Sequence, residues 1–374
     1  MGPLRLGYRP ALDGLRAVAV LAVMLHHSGL LPGGWLGVDV FFALSGFLIT
    51  TLLLEEYERT GEVSLRRFYL RRALRLLPAL LGVLVVFGAV IIAKSEAGEV
   101  ASVVLRLMAV LFYVANWAMM YGFGLYPLAH MWSLAVEEQF YAMWPLAMLV
   151  LLRKVRNATT VGLVVCAGMV GSTAWRALLG HRHVALSWLY QGLDTRADSI
   201  LMGCVLALVT SWRLMPDSAP MAMARRWAGA AGAIGLCVLF AGARYPRDFE
   251  EHFASTLTAL AATLLICQLL SPGSRLARFF ETRPLVGIGR ISYGLYLWHF
   301  PVFFALGVLP GAGFDPVSLG FAWLITFAVC IVSFKFLELP ALSLKSRLAG
   351  QSPVAAPAVA IDRQLEVIRP QLPP

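Results

Sequence analysis

The chain has 374 residues, of which 59% are hydrophobic and 14% are charged, whereas roughly 25% are charged in a soluble domain. That balance excludes an ordinary soluble protein. Spans of about 20 apolar residues would thread a bilayer roughly ten times and leave no room for a separate soluble catalytic domain. The excess of 31 Lys+Arg over 21 Asp+Glu, a net charge of +10, lies in short segments between apolar runs, the distribution expected of membrane topology and not of a nucleic-acid partner.

In chain order, Arg5, Arg9 and Arg16 precede or open an apolar run that contains His26 and His27, with a second run close behind it. This reads as a retained first span and not as a cleaved leader. Apolar stretches of span-like length follow the pattern 15–31, 35–54, 74–93, 103–121, 134–152, 159–179, 197–211, 226–242, 254–271, 291–308 and 318–337. If all of them crossed, the basic groups at Arg153, Lys154 and Arg156, at Arg225 and Arg226, and at Arg275, Arg278 and Arg283 would face outward, against the charge rule. Treating 103–121, which carries Arg106 and Asn116, as re-entrant or non-crossing places every large basic cluster on one side. The expected fold is therefore an all-α polytopic transmembrane helix bundle of about ten spans plus that one segment, in the cell membrane, with both termini cytoplasmic. Residues 1–340 form the membrane domain. Residues 341–374 form a cytoplasmic tail whose Pro, Ala and Val content beyond Gly350 reads as disordered. No internal repeat of the transporter kind is present. Cys166, Cys204, Cys237, Cys267 and Cys330 all lie in apolar segments, odd in number and without a CxxC, so neither a disulfide framework nor a metal site is expected.

A charged group near the bilayer centre costs at least about 2.5–3.5 kcal/mol and demands a partner or a wet cavity. Arg16 and His27 are eleven residues apart, which on an α-helix returns to within about 20° of one face and about 16 Å along the axis. Two readings stand: a guanidinium and a proton-accepting imidazole serving one site, or a headgroup anchor and a satisfied histidine. His26, about 100° away, reads as structural. The segment Gly33–Thr50 combines small residues that allow close helix contact with Ser45 and Asp39, where Asp39 either balances a nearby His or Arg or caps the second span. The stretch SLRRFYLRRALRLLP, read as a cytoplasmic loop, presents Arg66, Arg67, Arg71, Arg72 and Arg75. Arg72 and Arg75 share a helical face at i,i+3, a geometry suited to phosphates or to anionic lipid. His130, Ser133, Glu137 and Tyr141 recur at spacings of 3, 4 and 4 and so face one way. Glu138 reads as interfacial and Glu137 as paired with a membrane arginine. Arg196 and Asp198 enter a later span, His299 reads most simply as a satisfied buried histidine, and Lys335 with Glu338 as a mutually neutralising i,i+3 pair.

Taken together, YRPALDGLRAVAVLAVMLHH, GGWLGVDVFFALSGFLIT, FYLRRALRLLP, HMWSLAVEEQFYAMWP, DTRADSILMG, ISYGLYLWHFP and FLELP, in this order, resemble the acyltransferase-3 family of integral membrane O-acyltransferases. The resemblance implies an acyl-coenzyme A, in particular acetyl-CoA, as donor substrate with no bound cofactor, and a hydroxyl of a carbohydrate or glycosylated small molecule as acceptor. The family's arginine-x10-histidine pair falls on Arg16 and His27, implying catalytic roles. Its arginine-x-x-arginine motif falls on Arg72 and Arg75, implying a hold on the coenzyme's phosphates, with Arg71 beside them. Glu137 and Asp39 are expected to orient groups or stabilise charge. Many family members carry a fused SGNH domain, and the residues after 340 are too few for one. The alternatives are an antibiotic-tailoring acyltransferase acting on a macrolide sugar and, in a different class, a membrane transporter or flippase, since buried charges also mark transport pathways.

Overall fold

Within lipid every main-chain polar group must be satisfied internally, which long apolar runs achieve as helices. In the computed structural model the described residues are 6–348 apart from 97, 156, 217, 245–252, 272 and 312–314, and no strand occurs among them. The helices are α1 (Pro10–His27), α2 (Gly37–Thr60), α3 (Leu65–Lys94), α4 (Val100–Leu111), α5 (Ala115–Met120), α6 (Trp132–Lys154), α7 (Ala158–His181) and α8 (Leu186–Gln191). They continue with α9 (Leu193–Ser211), α10 (Ala219–Gly242), α11 (Ser255–Leu269), α12 (Arg275–Phe280), α13 (Arg283–Arg290), α14 (Ser292–Ala305), α15 (Pro316–Ser333) and α16 (Leu339–Leu348), a π turn at Phe334–Glu338 joining the last two. The predicted tail beyond Gly350, as well as Arg5 and Arg156, lies outside the described residues.

Four helical stretches, Gly34–Thr60, Leu65–Lys94, Ala158–His181 and Pro316–Ser343, are long and apolar enough to cross a membrane. The stretch 103–121 does not form one helix. It breaks after Leu111, where Tyr113 adopts φ 54°, and restarts at Ala115. At 1.5 Å per residue α4 rises about 18 Å, short of the ~30 Å hydrocarbon core. The arginines expected in a loop instead occupy the opening turns of α3, because α2 runs on to Thr60 and α3 begins at Leu65.

The bundle is apolar outside and polar within. Val85, Leu163, Ile234 and Leu324 on α3, α7, α10 and α15 are exposed, whereas Arg176, Asp198, Asp39 and His299 are fully buried. Helices α2 and α9 form the most extensive helix pair, and small residues make it possible. A Cβ on Gly46 would lie 1.9 Å from the carbonyl oxygen of Ile200, and one on Gly203 would lie 1.9 Å from that of Ala43. Direct backbone approach is the packing mode available where lipid offers no hydrophobic drive between helices. Two buried ion pairs lock the same region. Arg176 meets Asp198 at 2.8 Å, and Arg196 meets Asp39 at 2.8 Å. Together they tie α2 and α7 to α9, and Arg196 also donates to Ser255 of α11.

Candidate active site

Helices α1, α2, α3, α6 and α14 enclose a cavity of about 140 Å³ whose polar lining comes from Arg16, Ser45, Arg72, Arg75, Glu137, Glu138, Tyr141 and Tyr296, among others. Arg72 Nε donates to both carboxylate oxygens of Glu138, at 2.7 and 2.8 Å, and Nη2 donates to Glu138 as well. Its guanidinium carbon lies 3.3 Å from the centroid of the Tyr141 ring, a stacked cation–π contact that fixes the fork. Glu137 accepts from Ser45 Oγ at 2.5 Å and from Tyr141 Oη at 2.9 Å, and stands 3.6 Å from Arg72. Arg72 is thus held by two carboxylates and a ring.

Arg75 and Arg16 are placed differently. Both line the cavity, and neither makes an ion pair or hydrogen bond among the described residues. The strongest electrostatic influence on Arg75 is repulsion from Arg16, with weaker attraction from Tyr141 and Glu137. Two facing guanidinium groups without partners, in a cavity walled by apolar side chains, leave donors and positive charge free for an anion.

At the other end of α1, about 16 Å along its axis, His27 does not line this cavity. Its Nδ1 lies 3.0 Å from His299 Nε2, with the rings stacked at 5.2 Å between centroids. His299 Nδ1 lies 3.0 Å from the Leu295 carbonyl oxygen. His130 sits 5.3 Å from His299, centroid to centroid, and 5.0 Å from Phe300. Tyr296 joins the two ends: it lines the cavity, donates to the His130 carbonyl at 2.8 Å, and shares a 2.5 Å contact with Ser133 Oγ. Its ring lies 5.6 Å from that of His299. His26 is bound through Nδ1 to the carbonyls of Leu31 and Pro32, at 3.3 and 3.1 Å, in keeping with a structural role.

Of the residues singled out in the sequence, Arg16, Arg72, Arg75 and Glu137 therefore share one cavity, and His27 stands beyond Tyr296. Arg71 lies apart, 3.4 Å from Glu56, which Arg67 also approaches at 3.7 Å. Asp39 is not in the cavity lining. It accepts from Arg196 at 2.8 Å and from Ser199 at 2.9 Å, the arginine-balancing reading and not the cap. Glu138, expected at an interface, is the direct partner of Arg72, while Glu137 is the neighbour at longer range. Lys335 and Glu338 do not neutralise each other: the π turn changes the phase, so Lys335 is exposed while Glu338 is buried, its Oε1 3.3 Å from where a Cβ on Gly294 would stand. Tyr296 is a residue to which sequence reasoning gave no role, and His299, read there as a satisfied buried histidine, is buried with partners as expected but stands directly against His27. The available signal was histidine itself, present in three separate apolar segments at His27, His130 and His299, each costly in lipid without a partner. No group of His, Cys, Asp or Glu placed to hold a metal occurs among the described residues.

Comparison with known proteins agrees with the motif blocks. Residues 9–336 match the acyltransferase-3 family model, described as an acyltransferase domain, and the chain belongs to this family. It is 33% identical over 356 residues to the peptidoglycan O-acetyltransferase OatA of Listeria monocytogenes, covering 89% of this chain and 56% of that protein. It is also 33% identical over 346 residues to the O-acetyltransferase OatA of Staphylococcus aureus, covering 89% of this chain and 57% of that protein. The chain thus spans somewhat more than half the length of these curated relatives. No solved structure matches it.

Proposed function

We propose that the protein is an integral membrane O-acetyltransferase that moves an acetyl group from acetyl-CoA to a hydroxyl of a cell-envelope carbohydrate, a glycan such as peptidoglycan being the acceptor class. The observation that carries this reading is the cavity with two unpartnered guanidinium groups, Arg16 and Arg75, in a chain of an acyltransferase family. The coenzyme's phosphates dock at Arg75 and at the free edge of Arg72, with Glu138 and Glu137 holding Arg72 in place. Arg71, paired to Glu56 nearer the start of α3, adds positive charge on the approach. The thioester end extends past Tyr296 toward His27.

His27 accepts the proton of the acceptor hydroxyl as its oxygen attacks the thioester carbonyl. The carbon–sulfur bond breaks, and the coenzyme leaves as the thiol after taking from His27 the proton that came from the acceptor hydroxyl. Arg16 stabilises negative charge along this route, and Asp39 acts through the scaffold by fixing Arg196. About ten spans with both termini cytoplasmic put the basic clusters on the coenzyme's side of the membrane, in line with the charge rule. The test supplies labelled acetyl-CoA and a soluble glycan fragment to purified protein and measures thiol release and acetylated product. Wild type is expected to turn over and His27→Ala to lose at least about 100-fold. Equal thiol release by the two proteins would refute the assignment.

A further inference from the structure

Hydrogen-bond polarity along the histidine contacts follows from one fixed point. The Leu295 carbonyl oxygen can only accept, so the His299 nitrogen 3.0 Å from it, Nδ1, carries a hydrogen. In the neutral ring the other nitrogen, Nε2, is then bare. A second proton on His299 would bury an imidazolium with no carboxylate to balance it, facing only the neutral backbone carbonyls of Leu295 and Tyr296 and another imidazole, in a fully buried site beside Phe300 and Phe303, and that is a costly arrangement. His27 Nδ1, 3.0 Å from the bare His299 Nε2, must therefore be the donor. In neutral His27 the lone pair consequently resides on Nε2.

We propose that His299 is a positioning residue for acyl transfer: by accepting from His27 Nδ1 it locks His27 in the tautomer whose Nε2 takes the proton, with the Leu295 carbonyl setting the polarity of the relay. This inference rests on the reading of His27 as the proton acceptor. The proton moves from the acceptor hydroxyl to His27 Nε2 and later to the departing sulfur, while the Nδ1 hydrogen stays on His27 throughout. Once Nε2 is protonated, the donation to His299 becomes charge-assisted and strengthens, so the contact favours the charged intermediate over the resting ring. His130 and Phe303 pack edge-on against His299 at 5.3 and 5.8 Å between centroids and fix the plane of its ring.

The experiment compares full-length wild type, His299→Leu and His299→Gln in lipid nanodiscs by histidine ¹⁵N spectroscopy, with His27→Ala supplying the assignment. In wild type, His27 should show a hydrogen-bearing Nδ1 and a bare Nε2. His299→Leu should redistribute His27 between tautomers and lower kcat for acetyl transfer by about 10²–10⁴-fold, as expected when an imidazole loses the partner that fixes its tautomer. KM for acetyl-CoA should stay within about threefold, since the arginine cavity is untouched. His299→Gln, whose amide oxygen still accepts, should hold the wild-type tautomer and recover at least tenfold of the loss. A wild-type His27 with its hydrogen on Nε2, or a folded His299→Leu protein with undiminished kcat, would overturn the proposal. Absence of acetyl transfer by wild type would refute the functional reading instead, and the tautomer assignment would still be decided by the spectra.

Discussion

Arg72 and Arg75 are one helical turn apart and line the same cavity, yet substitution should cost much stability at the first and little at the second. Arg72→Gln removes the fork that neutralises Glu138 and assists Glu137, leaving two adjacent carboxylates in a site where the side chains of Arg72 and Glu138 are only 19% and 15% exposed. Breaking a fully buried pair costs about 3–5 kcal/mol, and the residual solvent access here reduces that to about 2–4 kcal/mol. Arg75→Gln breaks no ion pair or hydrogen bond; it relieves repulsion from Arg16, its strongest electrostatic influence, and gives up weaker attraction to Glu137, Glu138 and Glu338. Because the Arg75 side chain is exposed to the cavity, these opposing changes are screened and the net shift stays within about 1 kcal/mol. Coenzyme A at a hundred times its Kd should stabilise wild type by about 2.7 kcal/mol, and both variants should lose most of that increment. Thermal unfolding followed by size-exclusion chromatography of the detergent-solubilised protein, with and without coenzyme A, separates the two effects. A fall in melting temperature for Arg75→Gln as large as that for Arg72→Gln would refute the division into a braced and a free arginine.

Gly46→Leu should abolish recovery of monodisperse protein, because even a Cβ there meets the Ile200 carbonyl at 1.9 Å; normal yield in chromatography would contradict the α2–α9 packing. Asp39→Asn should lower stability by about 3–5 kcal/mol by leaving Arg196 buried and uncompensated, while the folded fraction keeps its acetyl-transfer rate. A lost rate with unchanged melting would instead return Asp39 to the reaction. Lys335→Ala should change stability, followed by thermal unfolding, by less than about 0.5 kcal/mol, since the side chain is exposed and makes no ion pair among the described residues.

Features that repeat along one helix were legible in the sequence, whereas those that depend on how helices align were not. The shared face of Arg72 and Arg75 and the small residues of 33–50 follow from spacing alone. Polar Arg106 and Asn116 marked 103–121 as different, and the chain indeed breaks there. Which of Glu137 and Glu138 would reach Arg72 depends on the register of α6 against α3, sixty-six residues away for Glu138, and no pattern within either helix encodes it. His299 meets a residue 272 positions distant, and a lone histidine in an apolar run carries no period. The Lys335 and Glu338 pairing failed for a local reason: i,i+3 neighbours share a face only on a regular α-helix, and the π turn at Phe334–Glu338 is not one.

The separation of the two ends of the site has its own physical logic. A polyanionic donor calls for free guanidinium groups in a wet cavity, where their charge is tolerable without partners. A general base calls for the reverse: a neutral imidazole whose proton-accepting nitrogen is kept from competing hydrogen bonds and away from cations that would oppose its protonation. Placing both on α1 at a spacing of about 16 Å meets these demands with one rigid element, because a helix fixes distance and relative face together. Tyr296 then becomes the point of decision. Its hydroxyl is committed to the His130 carbonyl and Ser133, so under the proposed reaction a thioester arm on its way from the arginine cavity to His27 would either displace those bonds or slide along the ring. On the proposed reading the arginine cavity and the histidine cluster are therefore linked by the donor itself as it passes the Tyr296 ring, which lies 5.6 Å from that of His299.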